Sequence, residues 1–374
     1  MKKRVLLVAR ILDSGGVTTH MFTLAKGLRS LGWDVAIASG GQVGEHLYGP
    51  QWFESNRIPH FYIHFPGSSL IFENLISGLK ACFEIDSVLR QFQPDLIHVH
   101  WRATSPYVRL AQLLHHIPFV TTLHLEGIPS NFLHKIGSFW GDKTIAISSE
   151  TRNYLIKNFR VPPSRIEIVY NGVDESYFRP PTVEESFKAR QQLNLNPEDK
   201  VVSLLGRLEP VKGHDVLIKA LALLRAKGCD VIALFAGEGS KAQALAQLAS
   251  ELGVADLVRQ IGYADSRLVL WASDVSVLPS RKEGFGLVIA ESMLCGVLPV
   301  RTPAAGAYDQ IEDAVNGFIV PFDDHEALAA RLHQLLGDNG LRTKMAEVAL
   351  LTARNKFTQQ SMLERIMAIY QEIL

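Results

Sequence analysis

Residues 275–291 have the sequence VSVLPSRKEGFGLVIAE, a short apolar run followed by a polar loop with two glycines and an apolar-rich segment. This order is typical of a buried parallel strand and the crossover helix that follows it. Ligands of open parallel sheets bind at the carboxyl ends of the strands, and the N–H groups at a helix N-terminus suit a diphosphate. The stretch therefore predicts an α/β fold with an anion-binding loop between strand and helix.

The same alternation extends along the whole chain and predicts two doubly wound parallel sheets of the Rossmann type. A chain of 374 residues is too long for one ordinary core, and turn-forming residues at 170–181 indicate the boundary. We expect domains at 1–175 and 176–355 with a cleft between them, and a last helix at 356–374 that packs on the first domain. The expected strands are Arg4–Ala9, Val35–Ala38, Leu96–His100, Phe119–Leu123, Thr144–Ile147, Val201–Leu205, Val231–Ala236, Val258–Ile261, Val275–Leu278 and Leu298–Val300. The expected helices of the first half are Thr18–Ser30, Leu70–Phe92, Pro106–His115 and Ser149–Asn158.

Composition excludes several classes of protein. The formal net charge is zero, which argues against a surface built to bind nucleic acid. The three cysteines lie far apart, so neither a disulfide framework nor a zinc site of cysteines is expected. The apolar run after the N-terminal Met-Lys-Lys-Arg is too short for a signal peptide and is interpreted as a strand, and no segment approaches a membrane span. These features favour a cytoplasmic protein.

Two carboxylates flank the glycines of the opening stretch. Glu283 precedes the predicted helix and Glu291 lies inside it, so one could bind sugar hydroxyls and the other a ribose diol, because a carboxylate accepts two hydroxyl bonds. The alternative is that Glu283 caps the helix and Glu291 lies on a solvated face. The stretch alone leaves both interpretations open.

A second loop, Gly206 to Gly213, also follows a strand and precedes a helix. Its Arg207 and Lys212 would neutralise two phosphates without a metal ion. A basic loop that serves only solubility is the alternative. Near the N-terminus, Gly15 and Gly16 follow the first strand but lack the spacing of a dinucleotide fingerprint, which disfavours a nicotinamide cofactor.

Histidines are concentrated in the first half of the chain. His98 and His100 would point to the same face of a strand, and His124 ends another strand where a ligand would bind. A metal site needs a third ligand, and no spacing in the sequence supplies one. We therefore expect no metal, and the alternative for His124 is a hydrogen-bonded loop histidine.

Taken together, these motifs resemble the retaining glycosyltransferase family 4, whose members have the GT-B architecture of two facing Rossmann-like domains. The resemblance extends over nearly the whole chain and includes Asn171-Gly-Val-Asp174 at the hinge. It implies transfer of a hexose or hexose derivative from a UDP- or GDP-sugar to a saccharide or lipid-linked acceptor, in surface polysaccharide or glycoconjugate synthesis. Family members retain the anomeric configuration and need neither a metal nor another cofactor.

The resemblance also implies roles for individual residues. Arg207 and Lys212 would clamp the diphosphate, Glu283 would hold hydroxyls of the donor sugar, and His124 would contact that sugar near the reacting carbon. The implied donor-binding positions are Gly16, the loop residues Gly284, Phe285, Gly286 and Leu287, and the ribose-binding Glu291.

Three questions stay open at this stage. Arg301 departs from the small residues common at this position of the family, and either binds an anion or pairs with Asp309. The stretch from Phe132 to Trp140 is interpreted as a core or cleft-lining helix, with peripheral contact at the inner face of the membrane as the alternative. A nucleotide-sugar-binding regulator without catalysis, or a phosphorylase-like enzyme with a pyridoxal phosphate lysine, is the competing function.

Overall fold

The computed structural model describes residues 2–13, 15–41, 50–66 and 75–374. These residues form two compact units, 1–172 with 359–374 and 173–358. The division lies three residues before the boundary expected from the turn-forming segment. Among the described residues, no helix combines the length and the hydropathy that a bilayer crossing requires.

Unit 1 contains a seven-stranded parallel sheet in the order β3-β2-β1-β4-β5-β6-β7. The central strands are buried on both faces, which explains their continuous apolar sequence. The strands are β1 Arg4–Val8, β2 Asp34–Ser39, β3 His60–Tyr62, β4 Leu96–Val99, β5 Phe119–Leu123, β6 Lys143–Ala146 and β7 Ile166–Ile168. The helices are α1 Gly16–Ser30, α2 Pro50–Ser55, α3 Leu75–Phe92, α4 Ser105–His115, α5 Phe132–Ile136, α6 Ser149–Phe159 and, at the C-terminus, α15 Gln359–Ile373. Residues 70–74 of the expected helix 70–92 lie outside the described residues.

Unit 2 contains a six-stranded parallel sheet in the order β10-β9-β8-β11-β12-β13. Its strands are β8 Val201–Leu205, β9 Ile232–Ala236, β10 Val258–Gly262, β11 Val275–Leu278, β12 Leu298–Arg301 and β13 Phe318–Ile319. Its helices are α7 Val183–Gln192, α8 His214–Ala226, α9 Ala242–Glu251, α10 Ser266–Ala272, α11 Leu287–Leu294, α12 Ala307–Gln310, α13 His325–Gly337 and α14 Asn339–Lys356. The predicted α/β class with two Rossmann-like parallel sheets is confirmed.

The C-terminal helix α15 packs on α1 of unit 1, although it follows the whole of unit 2 in sequence. The two helices approach closely at Gly27, where a Cβ atom would clash with the side chain of Leu363. The hydroxyl of Tyr370 lies 2.7 Å from Nδ1 of His98 in β4. The helix is therefore part of the unit 1 core.

The expected strands omit three that the structure contains, β3, β7 and β13. Each has two or three residues and lies at or beside the edge of its sheet. Runs this short carry no apolar pattern that distinguishes a strand from a loop.

Candidate functional site

The strand order of unit 2 reverses between its two central strands. From β8 the chain moves outward through β9 and β10, and from β11 it moves the other way through β12 and β13. In open α/β sheets the carboxyl ends on either side of such a reversal form the crevice in which ligands bind. The loops at these two ends, residues 206–213 and 279–286, are called the paired loops below.

The paired loops are packed backbone to backbone. Gly213 has a φ of +73°, and a Cβ atom there would clash with the carbonyl oxygen of Pro279. The N–H of Arg281 donates to the carbonyl of Val211 at 2.8 Å. The Arg281 guanidinium donates to both carboxylate oxygens of Asp215 at 3.0 and 2.8 Å. These contacts fix the two loops relative to each other.

The cation and the carboxylate predicted from the two loops meet in the structure. Lys212 Nζ donates to Glu283 Oε1 at 2.6 Å, and both side chains are partly buried, at 20% and 11% exposure. Arg207, from the same loop as Lys212, is exposed at the end of β8. The positive charge of Lys212 is thus held beside loop 279–286, called the glycine loop below. Arg207 adds a second positive charge on loop 206–213.

The glycine loop leads directly into α11. Gly286 is the N-cap residue, with a left-handed φ of +80°, and no side chain caps the helix. The N–H groups in the first turn of α11 therefore donate to no capping side chain and are suited to bind an anion. The Phe285 side chain is buried and holds the loop against unit 2. Gly284 precedes it, and Leu287 is the first residue of α11.

Glu291 lies in the second turn of α11 and is half-buried. Burial, with a further contribution from the negative charge of Asp265, raises its pKa to about 7. A fully solvated helix face would not give this shift, which favours the interpretation of Glu291 as a binding residue. A carboxyl group that is partly protonated at neutral pH can both donate to and accept from hydroxyl groups.

Arg301 is completely buried at the end of β12. Its guanidinium donates to the carbonyl of Phe285 at 2.9 Å and to those of Ala304 and Ala305 at 3.2 and 3.1 Å. It also contacts the amide oxygen of Gln310, whose amide nitrogen donates to the Gly286 carbonyl at 3.2 Å. Arg301 therefore braces the glycine loop from behind.

In unit 1 the strand order reverses between β1 and β4, and Gly16 begins α1 just after β1. Gly15 caps this helix without a side-chain bond, and its N–H donates to Asp13 Oδ1 at 3.1 Å. Gly16 is exposed. The first turn of α1 is thus accessible, and, like α11, this helix begins beside the strand reversal of its sheet.

A histidine cluster occupies the carboxyl edge of the unit 1 sheet. His100 and His124 follow β4 and β5, and His100 Nδ1 lies 3.2 Å from His124 Nε2. His20 of α1 completes the cluster, with its ring centroid 4.9 Å from that of His124. His20 lies on a helix far from the other two histidines in sequence. No spacing links it to them, so the sequence did not predict its place in the cluster.

The structure brings together Lys212, Glu283 and the loop from Gly284 to Leu287 in unit 2. Glu291 lies on the helix that this loop opens. His124 and Gly16 lie at the corresponding edge of the unit 1 sheet.

The helix expected at 132–140 is shorter in the structure, and its helical part is not a core element. The structure has only the short α5 there, in which Phe132 is 74% and Ile136 60% exposed. The apolar side chains of α5 point to solvent.

Comparison with known proteins gives a family for each unit. A family model described as Glycosyltransferase Family 4 matches residues 14–177, and one described as Glycosyl transferases group 1 matches residues 185–351. The D-inositol 3-phosphate glycosyltransferase of Thermobispora bispora is 27% identical over 97% of this chain and 91% of its own. The enzyme of the same name from Salinispora arenicola is 31% identical over 74% of this chain and 68% of its own.

Among solved structures, Anabaena Alr3699/HepE in complex with UDP matches with a TM-score of 0.85 and 22% identity. The match covers 99% of this chain and all of that one. The same protein in complex with UDP-glucose matches with a TM-score of 0.83.

Proposed function

We propose, from the premise that this chain belongs to the glycosyltransferase family 4 and group 1 family, that it transfers a hexose or hexose derivative from a UDP- or GDP-sugar to a saccharide or lipid-linked acceptor. The observation that carries the proposal is the Lys212–Glu283 contact at the strand reversal of unit 2. In the proposed roles, Lys212 would bind phosphate and Glu283 would bind hydroxyls, beside the uncapped N-terminus of α11. The reaction would serve synthesis of a surface polysaccharide or another glycoconjugate in the cytoplasm.

The chemistry follows from where charge develops. Departure of the nucleoside diphosphate leaves negative charge on the leaving oxygen and positive charge on the sugar ring. Lys212 and Arg207, together with the N–H groups at the start of α11, would stabilise the leaving diphosphate. Two cations can fill the role of a divalent ion, so the proposal includes metal independence.

The remaining roles concern the sugar and the nucleotide. Glu283 would accept hydrogen bonds from sugar hydroxyls, and Glu291 would bind the ribose diol. His124 would contact the donor sugar near the reacting carbon, and Gly16 would lie by the phosphates or the acceptor. Transfer would proceed with retention, and the anomeric signal of the product in an NMR spectrum reports this directly.

The donor is tested by thermal unfolding with a panel of UDP-, GDP- and ADP-sugars in the presence of EDTA. A donor at about 100 times its dissociation constant stabilises the fold by about 2.7 kcal/mol, so one member should raise the melting temperature clearly. Since HepE binds UDP-glucose, that sugar nucleotide leads the panel. Absence of a shift with every nucleotide sugar would contradict the proposal, and a shift that EDTA abolishes would contradict metal independence.

The acceptor panel includes D-inositol 3-phosphate, because the relatives are named for that substrate. Donor binding without transfer to any member of this panel would favour the nucleotide-sugar-binding regulator as the function.

Contact with a membrane surface is proposed for α5, as part of the use of a lipid-linked acceptor. The side chains of Phe132, Leu133 and Ile136 are 74%, 52% and 60% exposed, and Lys135 lies among them. Such a helix inserts its apolar side chains into the headgroup boundary, with anionic lipid adding attraction for the cation. Flotation with anionic vesicles should recover the wild-type protein.

The matched comparison is Phe132→Ser with Ile136→Ser against Tyr308→Ser, which removes an exposed aromatic side chain of unit 2. Only the double variant should fail to float. Equal recovery of the double variant and the wild type would contradict the assigned surface.

A further inference from the structure

Three histidines from three separate elements of unit 1 converge at the edge of its sheet. His20 comes from α1, His100 follows β4 and His124 follows β5. One ring nitrogen of each can be chosen so that all three lie within 4.8 Å of one another. These residues are called the histidine trio below.

The trio is buried, yet its hydrogen-bonding capacity is largely unused. The three side chains are 1%, 2% and 9% exposed. Among the residues that the structure describes, Nε2 of His100 and Nδ1 of His124 have no hydrogen-bond partner. Buried polar atoms are normally bonded, so a group of unpaired nitrogens in one place calls for a ligand.

His98 provides the contrast within the same cluster. Its Nδ1 lies 2.7 Å from the hydroxyl of Tyr370 and its Nε2 lies 2.7 Å from Thr122 Oγ1. Both nitrogens of this buried histidine are used to hold the core together. In the trio, Nδ1 of His100 and Nε2 of His124 lie 3.2 Å apart and contact each other rather than another part of the core.

The protonation state of the trio suits a metal ion. Burial lowers the pKa of His20 to about 4, while a hydrogen bond with the Asn171 side chain acts in the opposite direction. Burial also lowers the pKa of His100 and His124 well below the usual value, with the neighbouring histidines adding to the effect. The imidazoles are therefore neutral at pH 7, and a metal need not displace a proton.

We propose that the histidine trio binds a transition-metal dication of the zinc class. Imidazole nitrogen suits Zn²⁺, Cu²⁺ and Ni²⁺, whereas Mg²⁺ and Ca²⁺ require oxygen ligands. Tetrahedral zinc with bonds of about 2.0–2.1 Å places its nitrogen ligands about 3.4 Å apart. The Nδ1 of His100 and Nε2 of His124 are 3.2 Å apart, close to that spacing, and an ion between them would replace the hydrogen bond that joins these two nitrogens. One nitrogen of each of the three rings can be chosen so that all lie within 4.8 Å of one another.

Three nitrogens leave a fourth position for water or an anion. The ion has no step in the sugar transfer proposed above, but it would compete with the donor sugar for His124. Because His124 is also assigned to the donor, binding is measured without any nucleotide sugar.

The experiment uses the full chain, stripped of metal with EDTA and dialysed. Titration with Co²⁺ is followed by visible absorption, because a tetrahedral site of three imidazoles gives much stronger bands than an octahedral surface site. Titration with Zn²⁺ in a calorimeter gives the stoichiometry. We expect one ion per chain and an intense Co²⁺ spectrum that Zn²⁺ abolishes.

The variants are His20→Asn and, in case that protein is unstable, His100→Asn. Each should lose the intense spectrum and weaken Zn²⁺ binding by about 10–100-fold. The matched control is His214→Asn in unit 2, because His214 is also buried with two unpaired ring nitrogens but is not one of the trio. The control should bind like the wild type.

Two results would overturn the proposal. One is a wild-type protein that shows only the weak spectrum of octahedral Co²⁺. The other is tight binding that persists unchanged in folded His20→Asn and His100→Asn proteins, which would place the ion elsewhere.

Discussion

Turnover of the Lys212→Met variant is expected to fall by about two to three orders of magnitude, the usual cost of removing one group that stabilises charge in a transition state. Lys212 Nζ is held 2.6 Å from Glu283 on loops that pack backbone to backbone. Its position is therefore fixed before the donor binds, and no reorganisation is needed when charge develops on the diphosphate. Methionine keeps the apolar stem but removes the charge.

The loss should appear in kcat more than in KM, because the negative charge on the leaving oxygen grows as the bond breaks. Initial rates with the donor identified by the thermal panel give both constants. Unfolding curves of the variant establish that the fold is retained.

Lys227→Met is the matched control, since Lys227 is an exposed lysine that follows α8 at the opposite end from the paired loops. It should transfer sugar at the wild-type rate. A Lys212→Met protein with turnover close to that of the control would remove Lys212 from the proposed machinery.

The site in unit 2 was largely predictable because its residues lie in local sequence patterns. Lys212 and Glu283 are 71 positions apart, yet each follows an apolar strand and each is flanked by glycine. Parallel strands end at the same edge of a sheet, so the two loops had to lie on one side of the unit. What the sequence did not contain was the strand order that makes β8 and β11 neighbours.

The residues that the sequence did not reveal act through tertiary contacts. His20 lies in the middle of an amphipathic helix, where a lone histidine is indistinguishable from a core residue. Arg301 ends an apolar strand and has the sequence appearance of a surface cation, but its guanidinium turns inward to loop carbonyls and to the Gln310 side chain. No sequence pattern predicts the contacts of His20 or of Arg301, so only the folded structure shows them.

Unit 1 is expected to lose stability steeply as the pH falls from 6.5 towards 4. Burial lowers the pKa of His20 to about 4 and those of His98, His100 and His124 well below their usual value. Between pH 6.5 and 4 the unfolded chain therefore binds protons that the native unit does not, so unfolding is favoured as the pH falls. At pH 5, His20 alone accounts for about 2 kcal/mol, at 1.36 kcal/mol for each pH unit below 6.5.

The stability of unit 2 should change much less over the same pH range, because the pKa shifts of one histidine and one carboxyl group there have opposite signs. The pKa of His214 is lowered to about 4 by burial, which costs stability as the pH falls. The pKa of Glu291 is raised to about 7, so its native form holds a proton that the unfolded form releases above the ordinary carboxyl range. The contribution of Glu291 to the free energy of unfolding therefore rises as the pH falls from 7 towards 4.5. This gain offsets the loss that comes from His214.

Tryptophan fluorescence separates the two units. Of the five tryptophans, Trp271 alone lies in unit 2, so a Trp271→Phe protein reports only on unit 1. Urea unfolding of this protein at pH 7 and at pH 5 gives the change in the free energy of unfolding of unit 1. Adding His20→Gln should reduce that change by about 2 kcal/mol, whereas adding His333→Gln, at an exposed position of unit 2, should leave it unaltered. An unfolding free energy that is equal at the two pH values would show that the buried histidines take up protons in the native protein as they do in the unfolded chain.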